Sequence, residues 1–348
     1  MNNKYAVALS GGVDSSTTAA ILINQGYEIF GVTMLTQSTG CQNVIDKASK
    51  VAKQLGIKHY IFDVIDEFKK EVIDYFINSY INGITPNPCA ICNKKIKLNK
   101  LLFFAQGKGA DYLATGHYAS IEYINNNLYL REANNLLKDQ SYFLSLTSKE
   151  NLKYIKTPLC NIKNKQETRD LAKSFGLNNF QEKDSQDICF IKNGNYISFI
   201  RDNIEDKSLL DKHGNILLNN NVVSQHKGLI NYTIGQRRGL GISNKEPLYV
   251  TKIDYNNNTL IVGNKQDLIT RKFQVNQFNW LLNIDSNEFE CYVKVRAGHS
   301  KYKSKIIIID KNTIQVILLE NNTVAVCPGQ VCALYNNDNI VIGAGIIE

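Results

Sequence analysis

Through the first two hundred residues, short apolar runs rich in β-branched and aromatic side chains alternate with stretches whose apolar positions recur every three to four residues. That alternation predicts a parallel sheet covered by helices on both faces. Residues 5–9, 28–34, 59–64 and 112–115 read as strands, with 15–25, 44–55 and 67–80 as helices and Gly56 as a stop signal. The expected fold class is a doubly wound α/β domain, whose ligands bind beyond the carboxyl ends of the strands.

Residues 119–132 alternate apolar and polar positions around Asn125, Asn126 and Asn127, predicting a hairpin, and 141–155 and 167–175 return to helical spacing. Beyond about residue 200 the helical period fades. Residues 222–263 and 272–347 are short β segments broken by Asn, Asp and Gly, as in 250–254 and 259–262 around Asn256, Asn257 and Asn258. Three units are expected: a catalytic α/β domain over 1–200, a small β-rich domain over 201–268, and a C-terminal β-barrel over 269–348.

Composition narrows the class. With 348 residues, 43% hydrophobic and 21% charged, the chain has material for several cores and is not a disordered protein. No apolar run approaches the ~18 residues of a membrane span, and the first strand starts too early for a leader, so a cytoplasmic protein without a membrane partner is expected. Forty Lys and Arg against thirty-two Asp and Glu leave a net charge of +8, which favours a polyanionic partner. Cations gather over 94–100, over 149–173, at Lys227 with Arg237 and Arg238, and over 294–305, the last without an acid. Such tracts suit RNA phosphates, and each also suits plain solvated surface. Tyr232 beside Arg237 and Arg238 in a Gly-rich stretch offers a ring to stack a base.

Ala8, Leu9, Ser10, Gly11, Gly12, Val13, Asp14, Ser15 and Ser16 join the first strand to the first helix. Two glycines let backbone approach a phosphate, the following amides point at it, and three serines add donors, so this is an anion cradle. It is neither the kinase-type nor the dinucleotide-type glycine loop. Ser-Gly-Gly-x-Asp-Ser resembles the pyrophosphate loop of ATP pyrophosphatases, which implies an adenine nucleotide alpha hydrolase-like fold, ATP, and Mg2+ with Asp14 as a direct or water-mediated ligand.

Further motifs follow in order: 85–94 with Cys89 and Cys92, 114–118, 138–143, 184–191, 232–241 and 328–330. In this order the set resembles the tRNA-specific 2-thiouridylases nearly end to end. The resemblance implies ATP-dependent thiolation of the wobble uridine, position 34, of tRNAs for Lys, Glu and Gln. It implies Cys189 as persulfide carrier and Cys92 as nucleophile, with Ala8, Leu9, Ser10, Gly11, Gly12, Val13, Asp14, Ser15, Met34 and Gly116 on the nucleotide. It places Asn87, Pro88, Cys89, Lys138, Asp139, Gln140, Arg296 and Ala297 on tRNA. It also implies a sulfur-donor protein, such as a cysteine desulfurase or a sulfur-relay protein.

Eight cysteines are too dilute for a disulfide framework, so special thiols must be picked out by their neighbours. Cys92 stands before Asn93, Lys94, Lys95 and Lys97 near a helix start, where cations are expected to favour thiolate. Cys189, between Ile188 and Phe190, reads equally as a buried structural thiol. Cys89 stands where the family often has Asp, and Ala297 where it often has Tyr. The resulting Cys-x-x-Cys reads as a redox pair, as half a zinc site, or as part of an iron–sulfur site on Cys89, Cys92 and Cys189. His117 reads as a histidine bonding a neighbouring backbone group rather than as a catalytic base. The competing readings are another adenylating pyrophosphatase and an idle RNA-binding or thiol-redox module.

Overall fold

The computed structural model describes residues 3–37, 42–182, 188–191, 194–319 and 325–348. A parallel sheet forms the first unit, from β1 (Lys4–Ala8), β2 (Glu28–Leu35), β3 (Lys58–Asp63) and β4 (Tyr112–Ala114). After a hairpin of β5 (Ser120–Ile124) and β6 (Asn127–Arg131), β7 (Ile155–Lys156) completes it in the order β3-β2-β1-β4-β7. The core of β1 and β2 is buried on both faces, which is why those strands read as unbroken apolar runs. Strand order reverses at β1, so the crevice beyond β1 and β4 is the switch point where a ligand is expected.

Helices α1 (Val13–Asn24) and α2 (Gln42–Gln54) follow β1 and β2 as the spacing predicts. Ser15, Ser16, Thr17 and Thr18 in α1 are nonetheless buried. Thr17 and Thr18 hydroxyls donate to the carbonyls of Val13 and Asp14, at 2.7 and 2.9 Å, which satisfies them away from water. The predicted 67–80 helix is α3 (Ile65–Phe68), a wide-turn π segment over Lys69–Ile73, and α4 (Asp74–Ile81). A second π segment, Asn93–Lys100, links α5 (Pro88–Cys92) to α6 (Leu101–Gly107), with Leu98 out of helical geometry. Such bulges mark strained, often functional, helices.

One expectation fails. The 141–155 helix is two short pieces, α7 (Ser141–Leu144) and α8 (Lys149–Leu152), ending in β7. Between them Asn279 from the C-terminal unit donates to the carbonyls of Ser145 and Thr147, and Ser148 caps α8 by accepting from the Asn151 amide. Leu144, Leu146 and Leu152 are buried there, so the apolar spacing reflected core contacts from irregular backbone. Helix α9 (Lys165–Ser174) matches its prediction, and α10 (Tyr196–Asn203) closes the α/β part.

Strands β8 (Gly214–Leu218), β9 (Asn221–His226), β10 (Tyr249–Asp254) and β11 (Thr259–Gly263) form a small sheet in the order β10-β11-β8-β9. The asparagines have a conformational role: Asn125, Asn126, Asn219, Asn220 and Asn258 all take positive φ in hairpin turns. The last six strands, β12 (Lys272–Trp280), β13 (Glu288–Lys294), β14 (Tyr302–Asp310), β15 (Thr313–Leu318), β16 (Val331–Tyr335) and β17 (Val341–Ile347), close into a barrel. One continuous core joins Tyr142, Leu144 and Leu146 of the α/β unit to Leu281, Val331, Tyr335 and Val341 of the barrel.

Candidate active site

The β1–α1 loop is braced from within. The Ser10 amide donates to Ser15 Oγ at 3.2 Å, and the Ser15 and Ser16 hydroxyls donate to the Gly12 carbonyl at 3.1 and 2.9 Å. Gly11 has φ +77°, and a Cβ there would lie 2.5 Å from the Lys47 side chain on α2. A Cβ on Gly116, just past β4, would stand 2.9 Å from the Asp14–Ser15 backbone, so only glycine lets these two segments touch. Leu9 and Val13 bury their side chains, leaving backbone to face the crevice. Asn179 was not legible as a site residue: its amide donates to the Gly11 carbonyl at 2.7 Å and to Ser16 Oγ at 2.8 Å.

Asp14 has protein partners that the sequence did not show. Its carboxylate accepts from the Lys165 ammonium at 2.7 and 2.8 Å and from the Tyr118 hydroxyl at 2.7 Å. One carboxylate together with substrate phosphates is an ordinary ligand set for Mg2+, so Asp14 fits that role with Lys165 beside it. Gln140 fixes Tyr118 by accepting from its amide at 2.9 Å and donating its own amide to the Tyr118 carbonyl at 2.7 Å. Asp139 accepts from the amides of Ala133 and Ser141 and from the Ser141 hydroxyl. Burial raises its pKa against those bonds. Of the segment expected on RNA, Asp139 and Gln140 thus turn inward beneath the crevice, while Lys138 is exposed.

The thiols gather on the β2 side of the same crevice. Asn87 caps α5 by accepting from the Ala90 amide at 3.1 Å, and Pro88 takes the first helical position. This places Cys89 outward and Cys92 inward, the latter only 7% exposed. Cys92 shares a cluster with Phe190 and Ile191, and Met34 at the end of β2 packs against it. Residues 188–191 form a turn closed from the Ile191 amide to the Ile188 carbonyl at 2.9 Å. Phe190 anchors this turn between Phe68, Phe76 and Phe199, which leaves Cys189 exposed and not the buried structural thiol of the alternative reading. Segments 97 residues apart in sequence are thereby brought together. The rest of the predicted 184–191 motif, residues 184–187, lies outside the described residues.

Charge in this pocket corrects the thiolate expectation. Desolvation pushes the Cys92 thiol up to about 12, and the Lys97 ammonium only partly opposes it. Cys89 is likewise raised by desolvation, with Lys97 opposing. Burial alone would lower Lys97, but facing Cys92, Cys189 and Cys89 it ends above its ordinary value. Lys97 therefore sits among all three thiols, a placement the sequence showed only as one cation in a basic tract. His117, on the β4 side, is pulled down to about 3 by burial and then by Lys97, and bonds Thr115 Oγ1 at 2.9 Å. It is neutral, and the partner is a side-chain hydroxyl in place of the expected backbone group. Among the described residues no three His, Cys, Asp or Glu side chains converge closely enough to hold a metal.

The barrel holds the thiol loop. Gln330 donates to the carbonyls of Thr85 and Pro86, both at 3.0 Å, and the Thr85 amide donates to the Pro328 carbonyl at 3.1 Å. Gly329 has φ +88°, and a Cβ there would meet the Thr85 carbonyl oxygen at 2.9 Å. The 328–330 motif is thus a clasp on the loop leading into α5. Arg296 is likewise internal, donating to Cys327 Sγ at 2.6 Å and to the Ile234 carbonyl at 3.3 Å, and Ala297 packs on the shared core.

Tyr232 corrects another expectation: it is buried in the core of the small sheet with Leu229 and Leu240 and offers no face to a base. Arg237 and Arg238 beside it are exposed. Several tract lysines are paired: Lys95 with Glu71, Lys100 with Glu67, Lys303 with Glu290 and Lys305 with Glu288. No described helix is long and apolar enough to cross a membrane.

Comparison with known proteins follows this division of the chain. Residues 3–193 match the family described as tRNA methyl transferase HUP domain, 201–264 the tRNA methyl transferase PRC-barrel domain, and 270–347 the aminomethyltransferase beta-barrel domain. A tRNA-specific 2-thiouridylase MnmA 1 of Fusobacterium nucleatum is 44% identical over 100% of this chain and 94% of its own length. Proteins named tRNA-specific 2-thiouridylase MnmA from Rickettsia bellii and Pelobacter propionicus are 42% and 40% identical, covering 98% and 99% of this chain and 95% and 97% of their own.

Proposed function

The chain belongs to the tRNA-specific 2-thiouridylase family, and from that premise we propose that it is an ATP-dependent sulfurtransferase replacing O2 of the wobble uridine, position 34, of tRNA by sulfur. The observation that carries this reading is the packing of the turn that bears Cys189 onto the cluster that holds Cys92, with Lys97 acting on both thiols. A methyl-transfer reading, suggested by the wording of the matching family descriptions, leaves that packing and the β1–α1 loop without a role.

The carbonyl oxygen on C2 is a poor leaving group, so it must first be activated. Backbone of Ala8, Leu9, Gly11, Gly12 and Val13, with the hydroxyls of Ser10 and Ser15, holds the outer phosphates of ATP, while Met34 and Gly116 border the adenosine. O2 attacks the α-phosphorus and pyrophosphate leaves. Asp14 positions Lys165 against the phosphates. The terminal sulfur of a persulfide on Cys189 attacks C2 and AMP leaves. Cys92 takes the Cys189 sulfur, and the two electrons that reduce the transferred sulfur come from these thiols, which end as a disulfide. Lys97 stabilises each thiolate as it forms. Mg2+, held by Asp14 directly or through water and by the phosphates, would offset the charge of the outer phosphates.

Lys138, Arg237 and Arg238 supply exposed cations for tRNA phosphates, and Asn87, Pro88 and Cys89 line the approach to the base, which must be flipped out to expose C2. Arg296 and Ala297 act from beneath by fixing the domain junction. The tRNAs for Lys, Glu and Gln as substrates, a persulfide-bearing donor protein and a cytoplasmic location complete the proposal.

Purified protein given ATP, a persulfide source and tRNA transcript is expected to release AMP and pyrophosphate and to yield 2-thiouridine on nucleoside mass spectrometry. Release of ADP, or an unsulfurated anticodon, overturns the reading. Cys92→Ser and Cys189→Ser are expected to abolish thiouridine while transcript-dependent pyrophosphate release persists.

A further inference from the structure

Resting on the sulfurtransferase reading, the disulfide left between Cys92 and Cys189 must be cleared before Cys189 can accept sulfur again. Cys92 is almost wholly buried, so an external reductant has poor access to its half of that bond. Cys89 lies one helical turn earlier on the same short helix, α5, with its side chain exposed. Helix geometry sets Cα atoms three residues apart at about 5 Å, inside the range of roughly 4.4–6.8 Å that a disulfide spans.

We propose that Cys89 is a resolving thiol: its thiolate attacks Cys92 Sγ in the Cys92–Cys189 disulfide, forming a Cys89–Cys92 disulfide and releasing Cys189. One S–S bond forms as another breaks, and the proton lost by Cys89 passes to the Cys189 thiolate or to solvent, so the exchange is electron-neutral. The oxidising equivalent moves off the sulfur-carrying residue onto the α5 pair, which an external dithiol reduces at the exposed Cys89 sulfur, so that Cys189 is free to be reloaded. Three observations converge on this order of events. Access runs from exposed Cys89 through buried Cys92 to exposed Cys189. The turn carrying Cys189 packs by Phe190 and Ile191 on the cluster containing Cys92. Both α5 thiols are influenced first by desolvation, then by Lys97 and then by Cys189, which puts the participants in one pocket.

The test uses the full-length reduced protein, equilibrated in glutathione buffers of graded ratio, quenched with iodoacetamide and mapped by peptide mass spectrometry. The expected first disulfide joins Cys89 to Cys92, with Cys189 alkylated; Cys89 alkylated while Cys92 is joined to Cys189 overturns the proposal. The same mapping is made after one round with persulfide-loaded protein, ATP and transcript but no reductant. Wild type is expected to end with Cys89–Cys92, and Cys89→Ser to accumulate Cys92–Cys189 in its place. Wild type that has made thiouridine and retains Cys92–Cys189 also overturns it. Absence of thiouridine from wild type, with Cys89–Cys92 still formed in glutathione, counts against the sulfurtransferase reading and leaves the thiol pair standing.

Discussion

Cys92 shows how one residue's chemistry is set by two opposed influences. Burial outweighs the cation beside it, so at neutral pH the thiol is protonated. Well below its pKa the thiolate fraction rises about tenfold per pH unit. Single-turnover sulfur transfer, followed by rapid quench, is therefore expected to accelerate by that factor per unit between pH 7 and 9. Lys97→Met removes the influence that holds the thiol down, and is expected to slow transfer throughout that range. His117 tests the opposite sign. Its folded pKa of about 3 lies below the ordinary 6.5, so the unfolded chain takes up a proton first as pH falls. Stability from this group is fully present above about pH 6.5 and is lost towards pH 3. Urea midpoints measured at pH 7.5 and 5 are expected to differ less in His117→Gln than in wild type.

At the scale of elements, the thiol-bearing helix is short and cannot place itself. Five residues with one Asn cap and one Pro leave α5 dependent on what grips its entrance, and that grip is Gln330. Gln330→Ala removes two hydrogen bonds at about 1 kcal/mol each. It is expected to lower the unfolding free energy by about 2 kcal/mol, read by urea titration, and to slow thiouridine formation more than pyrophosphate release. Element identity was readable where one face repeats over several turns or strands, as in α1, α2 and β1–β4. It was misread over 141–155, because Leu144, Leu152 and Ile155 recur at helical spacing while facing a core built partly by the barrel. The asparagine clusters marked turns correctly, and positive φ supplies the reason they are asparagine.

At the scale of the whole molecule, the α/β unit and the barrel share one core and are stitched by Tyr142 to the Val331 carbonyl at 2.9 Å and Asn279 to two carbonyls of the 145–147 turn. A chain ending at residue 268 would expose Tyr142, Leu144 and Leu146. It is expected to aggregate or to lose its sharp near-ultraviolet dichroism, and in the intact protein calorimetry is expected to show these two units melting in one transition. The sequence by itself determined the parallel sheet, the phosphate loop at its switch point, the β-rich C-terminal half and two cysteine segments worth watching, because period, glycine spacing and motif order are local properties of the chain. Only the tertiary structure decided that Lys97 faces three thiols, that Asp14 is held by Lys165 and Tyr118, that Tyr232 is core, and that residues 328–330 clasp the thiol loop. Each of those depends on groups brought from distant parts of the chain into a desolvated space, and no local pattern encodes which cation, carboxylate or carbonyl will be the neighbour there.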